Sequence, residues 1–130
     1  MLQDYKIHCE ERNEQGIPPL PLSAQQTSEL VELLKSEHAE SELLLELLIE
    51  RTPAGVDQSA YIKAGFLADI TTGKTTSPCI SRKEAVIILG TMLGGYNIQP
   101  LVKCLEDDEL GEEAANALSK TCLLYTSDAA

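Results

Sequence analysis

The stretch SRKEAVIILGTMLGGYNIQPLVKCL, residues 81–105, decides the fold class. Ser81 can accept a hydrogen bond from an orphan amide of the first turn while Glu84, three residues on, reaches back to the Ser81 amide. Ala85, Ile88, Leu89 and Met92 then follow at i, i+3, i+4 and i+7, the spacing of a single helical face. Gly94-Gly95 offers left-handed residues to end that helix, and Asn97 is placed to cap the next. Ile98, Leu101, Val102 and Leu105 repeat the pattern. Beyond the acidic turn Glu106-Asp107-Asp108-Glu109 it returns in Leu110, Ala114, Ala117, Leu118 and Thr121.

The same period governs the upstream half. A first helix is expected over residues 2–15, with Leu2, Tyr5 and Cys9 on one side and Gly16 as its stop. Ile17-Pro18-Pro19-Leu20-Pro21-Leu22 follows, an extended spacer because each proline fixes φ and removes a donor. Its apolar residues are expected to lie across a neighbouring surface. Ser23 with Gln26 starts a second helix buried through Thr27, Leu30, Val31 and Leu34. A third, over 41–51, is apolar on most of its circumference and carries Glu42, Glu46 and Glu50 one turn apart. Such like-charge pairs cost about 0.2–0.5 kcal/mol each, so packing must hold this helix. Asp57 is placed to cap a fourth helix bearing Tyr61, Ala64, Leu67 and Ile70, and residues 71–78 read as loop. No segment alternates apolar and polar residues in the manner of a strand, so the class is all-α.

Composition removes several functions. With 21 acidic against 10 basic residues the chain carries −11 and repels phosphate backbones, so nucleic-acid binding by this segment alone is disfavoured. No window reaches the roughly 18 apolar residues of a membrane span, and the N-terminus lacks a signal-peptide pattern. A cytoplasmic location is expected, with no membrane partner. Cys9, Cys79, Cys104 and Cys122 are widely spaced and form no C-x-x-C pair, so they read as reduced, ordinary thiols.

Chemical motifs are sparse. Gly73-Lys74-Thr75 has the ending of a phosphate-binding loop, but the position of its first glycine is Ala68 and the segment follows a helix, so it reads as an ordinary loop. His8 and His38 lack cysteine or carboxylate neighbours at ligand spacing and read as solvated. The abundant carboxylates read as a solvated face, since none sits in a glycine-rich or strongly apolar setting. No catalytic, cofactor-binding or metal-ligating residue is assigned. The least generic stretch is Gly94-Gly95-Tyr96-Asn97: its glycines permit unusual dihedrals, and Tyr96 can pack its ring and bond through its hydroxyl. These four are the candidate turn or domain-docking residues, with Tyr96 expected to be buried or hydrogen-bonded.

Residues 85–120 also resemble a HEAT unit, in which stacked helix hairpins share one continuous core. More specific are Gly16-Ile17-Pro18-Pro19 with Pro21-Leu22, Leu30-Val31-Glu32-Leu33-Leu34-Lys35, Gly55-Val56-Asp57 followed by Ala60-Tyr61-Ile62-Lys63-Ala64-Gly65-Phe66-Leu67, and Leu89-Gly90-Thr91-Met92 through Gly94-Gly95-Tyr96-Asn97-Ile98 to Pro100-Leu101. In order and spacing they resemble the N-terminal HEAT-like domain of the bacterial aconitate hydratase B family, over residues 1–121. The resemblance implies an α-solenoid of about six or seven helices. It also implies a parent enzyme with a [4Fe-4S] cluster that interconverts citrate and isocitrate through cis-aconitate in the tricarboxylic acid cycle, with 2-methylisocitrate as a further substrate. The family's cluster and substrate residues lie downstream, so no cofactor is expected in this chain and the chain alone is expected to be inactive.

For this segment the resemblance implies an accessory role. It would pack against the catalytic domains of the same polypeptide and mediate contacts such as iron-sensitive homodimerisation, and the family is linked to RNA-based regulation. Citrate and isocitrate are ligands of the parent only. The alternative is an independent helical-repeat scaffold that binds another protein. Residues 122–130 depart from the family pattern and are expected to be a non-native tail, either disordered or accidentally helical.

Overall fold

The computed structural model describes residues 1–53 and 55–129, with the backbone alone for 121–129. Among the described residues there are seven α-helices and no strand, the only extended pairing being an isolated bridge between Ser77 and Ile80. The helices are α1 (Leu2–Glu14), α2 (Ala24–Leu34), α3 (Ser41–Glu46), α4 (Gln58–Thr72), α5 (Arg82–Leu89), α6 (Ile98–Cys104) and α7 (Gly111–Ala129). The reading of residues 122–130 as a foreign tail lies outside the described side chains.

Local chemistry sets most of the boundaries. Ser23 and Ser81 both form complete capping boxes, with Gln26 and Glu84 as their partners. Gly16 and Gly73 end α1 and α4 at positive φ, 71° and 81°. In both turns the glycine amide and the one after it bond back to the helix's last carbonyls: Gly16 to Asn13 and Ile17 to Arg12, Gly73 to Ile70 and Lys74 to Asp69. Gly73-Lys74-Thr75 is therefore a helix C-cap.

The third helix departs from expectation. It is α-helical only to Glu46 and then widens into a π turn, Leu47–Arg51, closed where the Thr52 hydroxyl donates to the Leu47 carbonyl at 3.1 Å. Leu44, Leu47 and Leu48 are buried, whereas Ile49 faces outward. The proline spacer also differs, since only Leu22 is buried while Ile17 and Leu20 are exposed. Leu22 is clamped on both sides, its amide donating to Arg51 and its carbonyl accepting from the Ser59 hydroxyl. Asp57 occupies the N-cap position of α4, but its side chain makes no cap bond.

Helix α4 is central, packing against α2, α5 and α6, and α7 closes the far side against α5 and α6. Its buried stripe is Ala60, Lys63, Ala64, Leu67, Ile70 and Thr71, which turns Tyr61 to solvent. Val102 and Leu105 are likewise exposed, because α6 buries only Leu101 and Cys104. On the opposite flank α1 is held through the spacer: the Tyr5 hydroxyl donates to the Leu20 carbonyl at 2.7 Å, and Arg12 donates to the Pro18 carbonyl at 3.0 Å. Lys6 pairs with Glu40.

One side chain joins three helices. Arg82, the first residue of α5, donates to the Thr71 carbonyl at the end of α4 through Nε (3.0 Å) and Nη2 (2.9 Å). The same guanidinium meets Asp107 at 2.5 Å and Glu109 at 2.9 Å in the turn before α7. Asp107 in turn accepts from the Glu109 and Leu110 amides, so the acidic turn is an anchored start for α7. The Arg82 hydrogen bond, with those amides, holds the Asp107 carboxyl below its usual value.

Candidate functional site

The connection between α5 and α6 is built backbone first. Helix α5 ends at Leu89, earlier than Gly94-Gly95, because the Thr91 and Met92 amides bond only three residues back, to Ile88 and Leu89. A Cβ on Gly90 would stand 2.8 Å from the Cβ of Ala117, so the missing side chain lets α7 approach. Met92 plugs the core beneath the turn, fully buried. Gly94 then passes directly over the loop before α4, where a Cβ would lie 1.8 Å from the Gly55 carbonyl oxygen. Only a glycine allows that approach, and Gly95 beside it takes φ 92°, a conformation open to glycine at little cost.

Asn97 is fully buried, and its amide points backward. It donates to the carbonyls of Leu89 (2.7 Å) and Met92 (3.2 Å), closing the end of α5. The expected cap on α6 is absent: Asn97 sits at its N-cap position with helical dihedrals and no side-chain cap bond. Tyr96 is hydrogen-bonded, as expected, with its hydroxyl donating to the Val56 carbonyl at 3.1 Å across the loop. Its ring stays 37 % exposed and stands edge-on to Tyr61, with centroids 5.4 Å apart. The structure thus places the four candidate residues in one corner, where Gly94 and Tyr96 meet Gly55 and Val56 and Asn97 turns back to α5.

A cleft of about 350 Å³ opens beside this corner between α2, α4 and α6, lined by Val31, Lys35, Tyr61, Ile62, Phe66 and Tyr96. Outside it, Val56 and Leu93 are exposed at 72 % and 55 % and carry the apolar surface around the corner. A second cleft, polar and about 510 Å³, is lined by Glu37, His38, Ser41 and Cys79. His38 is engaged there, its Nδ1 accepting from the Glu40 amide, and His8 Nε2 accepts from Leu20. Both histidines therefore satisfy backbone amides that the proline-rich and polar loops would leave open, a role their solvated reading missed.

Cys9, Cys79 and Cys104 lie on α1, in the α4–α5 loop and on α6, and are free thiols. Among the described residues no group of three or more His, Cys, Asp or Glu could hold a metal ion. These donors do not fit an iron–sulfur cluster. No helix among the described residues is long and apolar enough to cross a membrane.

Lys63 is the titratable group that sequence reading passed over. It is 1 % exposed on the inner face of α4 and makes no ion pair among the described residues. Burial pushes its ammonium down to about 8, partly offset by the charge of Glu50. The signal was present, because Lys63 follows Ala60 by three residues and precedes Leu67 by four on the buried stripe.

The chain matches the model of the Aconitate B N-terminal domain over residues 4–129. It is 54 % identical to the aconitate hydratase B of Salmonella typhimurium over 96 % of its own length and 15 % of that protein. To the enzymes of Escherichia coli and Helicobacter pylori the identities are 52 % and 47 %, again over 15 % of each relative. The chain thus spans about 15 % of the length of these relatives. With nearly all of the described fold inside one family model, this chain belongs to the aconitate hydratase B family and corresponds to its N-terminal domain.

Proposed function

We propose that this chain is the accessory, protein-contacting domain of an aconitate hydratase B, whose catalytic domains interconvert citrate and isocitrate through cis-aconitate. The observation that carries the reading is the asymmetry of the match, 96 % of this chain against 15 % of the relative. The rest of the family's polypeptide is where a cluster and substrate residues would reside. Two features of the chain support a non-catalytic role. Its net charge of −11 opposes the approach of a citrate trianion, and its titratable groups serve packing: Arg82 with Asp107, Lys6 with Glu40, the histidines with backbone amides. The packing of α4 on α5 and α6, and of α7 on the same two helices, supports a HEAT-like stack. On this reading the substrates belong to the parent, and the contacts of this domain are with protein.

The test is an assay of the isolated chain with citrate after incubation with iron, sulfide and a reductant. No cis-aconitate should form. Turnover by the isolated chain would overturn the reading, because it would place an assembled catalytic set within these residues.

A further inference from the structure

The four exposed residues around the α5–α6 corner, Val56, Tyr61, Leu93 and Tyr96, form an apolar and aromatic patch on a strongly acidic chain, with Asp57, Lys35 and Asp69 at its edge. They are contiguous: Tyr96 bonds to the Val56 carbonyl and stacks edge-on against Tyr61, and Leu93 precedes the Gly94 contact with Gly55. Paired tyrosines with aliphatic neighbours inside a polar rim are the composition of an interface centre. The face is also held in advance. Tyr96 is tethered at its hydroxyl, and the backbone crossing at Gly94 leaves the loop no room to relax inward.

The direction of α7 says what covers this face. Arg82 at the start of α5 touches Asp107 and Glu109 just before α7, whereas Gly90 just past the end of α5 meets Ala117 within it. The two helices therefore run in the same sense, and α7 carries the chain toward the end of the bundle that bears Leu93 and Tyr96. In the family this is the N-terminal domain and about 15 % of the relatives' length, so the bulk of their polypeptide follows α7. We infer that Val56, Tyr61, Leu93 and Tyr96 form the surface on which the polypeptide following this domain docks. The inference rests on the accessory-domain reading and specifies its contact face.

Hydroxyl-radical footprinting tests it by comparing the isolated chain with a full-length chimera in which this chain replaces the matched region of the Escherichia coli relative. Labelling of Val56, Tyr61, Leu93 and Tyr96 should fall about threefold or more in the chimera, as expected at the desolvated centre of an interface, while Ile7 and Leu20 on the α1 side stay unchanged. Protection elsewhere on the domain with these four unchanged would overturn the assigned face and leave the accessory role standing. Protection nowhere would overturn both. Protection of the four in the isolated chain at rising concentration would assign the face to a second copy and refute the inference. Should the chimera fail to fold, the intact relative and its own isolated N-terminal region, read at the aligned positions, give the same comparison with the same deciding outcomes.

Discussion

The side-chain amide of Asn97 donates to the main-chain carbonyl of Leu89 at 2.7 Å, so the residue that opens α6 closes α5. A second donation to Met92 adds to the backbone bonds of Thr91 and Met92 in holding the buried turn between them. Removing the donor leaves the Leu89 carbonyl to the Met92 amide and takes from the Met92 carbonyl its bond to Asn97.

Asn97→Ala is accordingly expected to destabilise the fold by about 1–3 kcal/mol, the cost of leaving buried polar groups unsatisfied. Asn97→Asp should be worse at neutral pH, since a carboxylate has no proton to donate and faces two carbonyl oxygens. Urea unfolding followed by circular dichroism reads both; an Asp variant as stable as wild type would show that the backward cap carries no weight.

Glycines 94 and 65 should respond to alanine in opposite ways. Gly94→Ala drives a methyl group into the Gly55 carbonyl and is expected to cost about 1–3 kcal/mol. Gly65 lies in the interior of α4 with nothing within 4 Å of the added carbon, so Gly65→Ala should stabilise by about 0.5–1 kcal/mol. Thermal unfolding of the two variants shows the split, and equal shifts would refute the close crossing at Gly94.

Lys63 sets a pH dependence. Its folded value of about 8 lies below its ordinary 10.5, so between them the unfolded chain binds more protons than the folded one. Stability should therefore rise with pH through this window, by up to about 3 kcal/mol across it, and the cost of burying the charge should be fully present below pH 8. Glu50 faces the ammonium and moderates the effect. Tyr5 acts in the other direction, because burial raises its hydroxyl above 10.0 and favours the unfolded chain once pH passes that value. Unfolding free energies between pH 8 and 10 should thus climb in the wild type and flatten in Lys63→Met; a flat wild-type profile would contradict the burial of the amine.

Arg82 should couple unequally to its two carboxylates. Asp107 is also fixed by two backbone amides and accepts the shorter bond, whereas Glu109 is largely exposed. Double-mutant cycles of Arg82→Ala with Asp107→Ala and with Glu109→Ala should give the larger coupling for Asp107. The Asp107 contribution should persist at neutral pH and fade only as pH falls through its depressed value. Arg82→Lys should recover little, because a single ammonium cannot bridge Thr71 and the acidic turn together. Equal couplings would contradict this arrangement.

Much of the helical plan was legible because its signals are local. Ser23, Ser81 and Gly16 act through hydrogen bonds within a few residues, and all three stand where their chemistry places them, whereas Gly73, read as plain loop, caps α4. Residues whose placement depends on a distant partner were harder. Tyr61 and Val102 fit a helical stripe, yet both face solvent because the stripe's phase is set by which neighbouring helix arrives, and α6 is only 7 residues long. Asn97 has ordinary capping chemistry, but its amide turns back to the Leu89 and Met92 carbonyls at the end of α5. The candidate corner could thus be located at Gly94–Asn97 while its other half, Gly55, Val56 and Tyr61, awaited the fold.

The accessory role is tested most directly by citrate-to-isocitrate turnover in the full-length chimera carrying this chain on the Escherichia coli relative. The account predicts turnover comparable to the parent enzyme in the chimera and none from the isolated chain. A folded, cluster-loaded chimera without activity would contradict it, because the domain could then not stand in for the one it is held to represent.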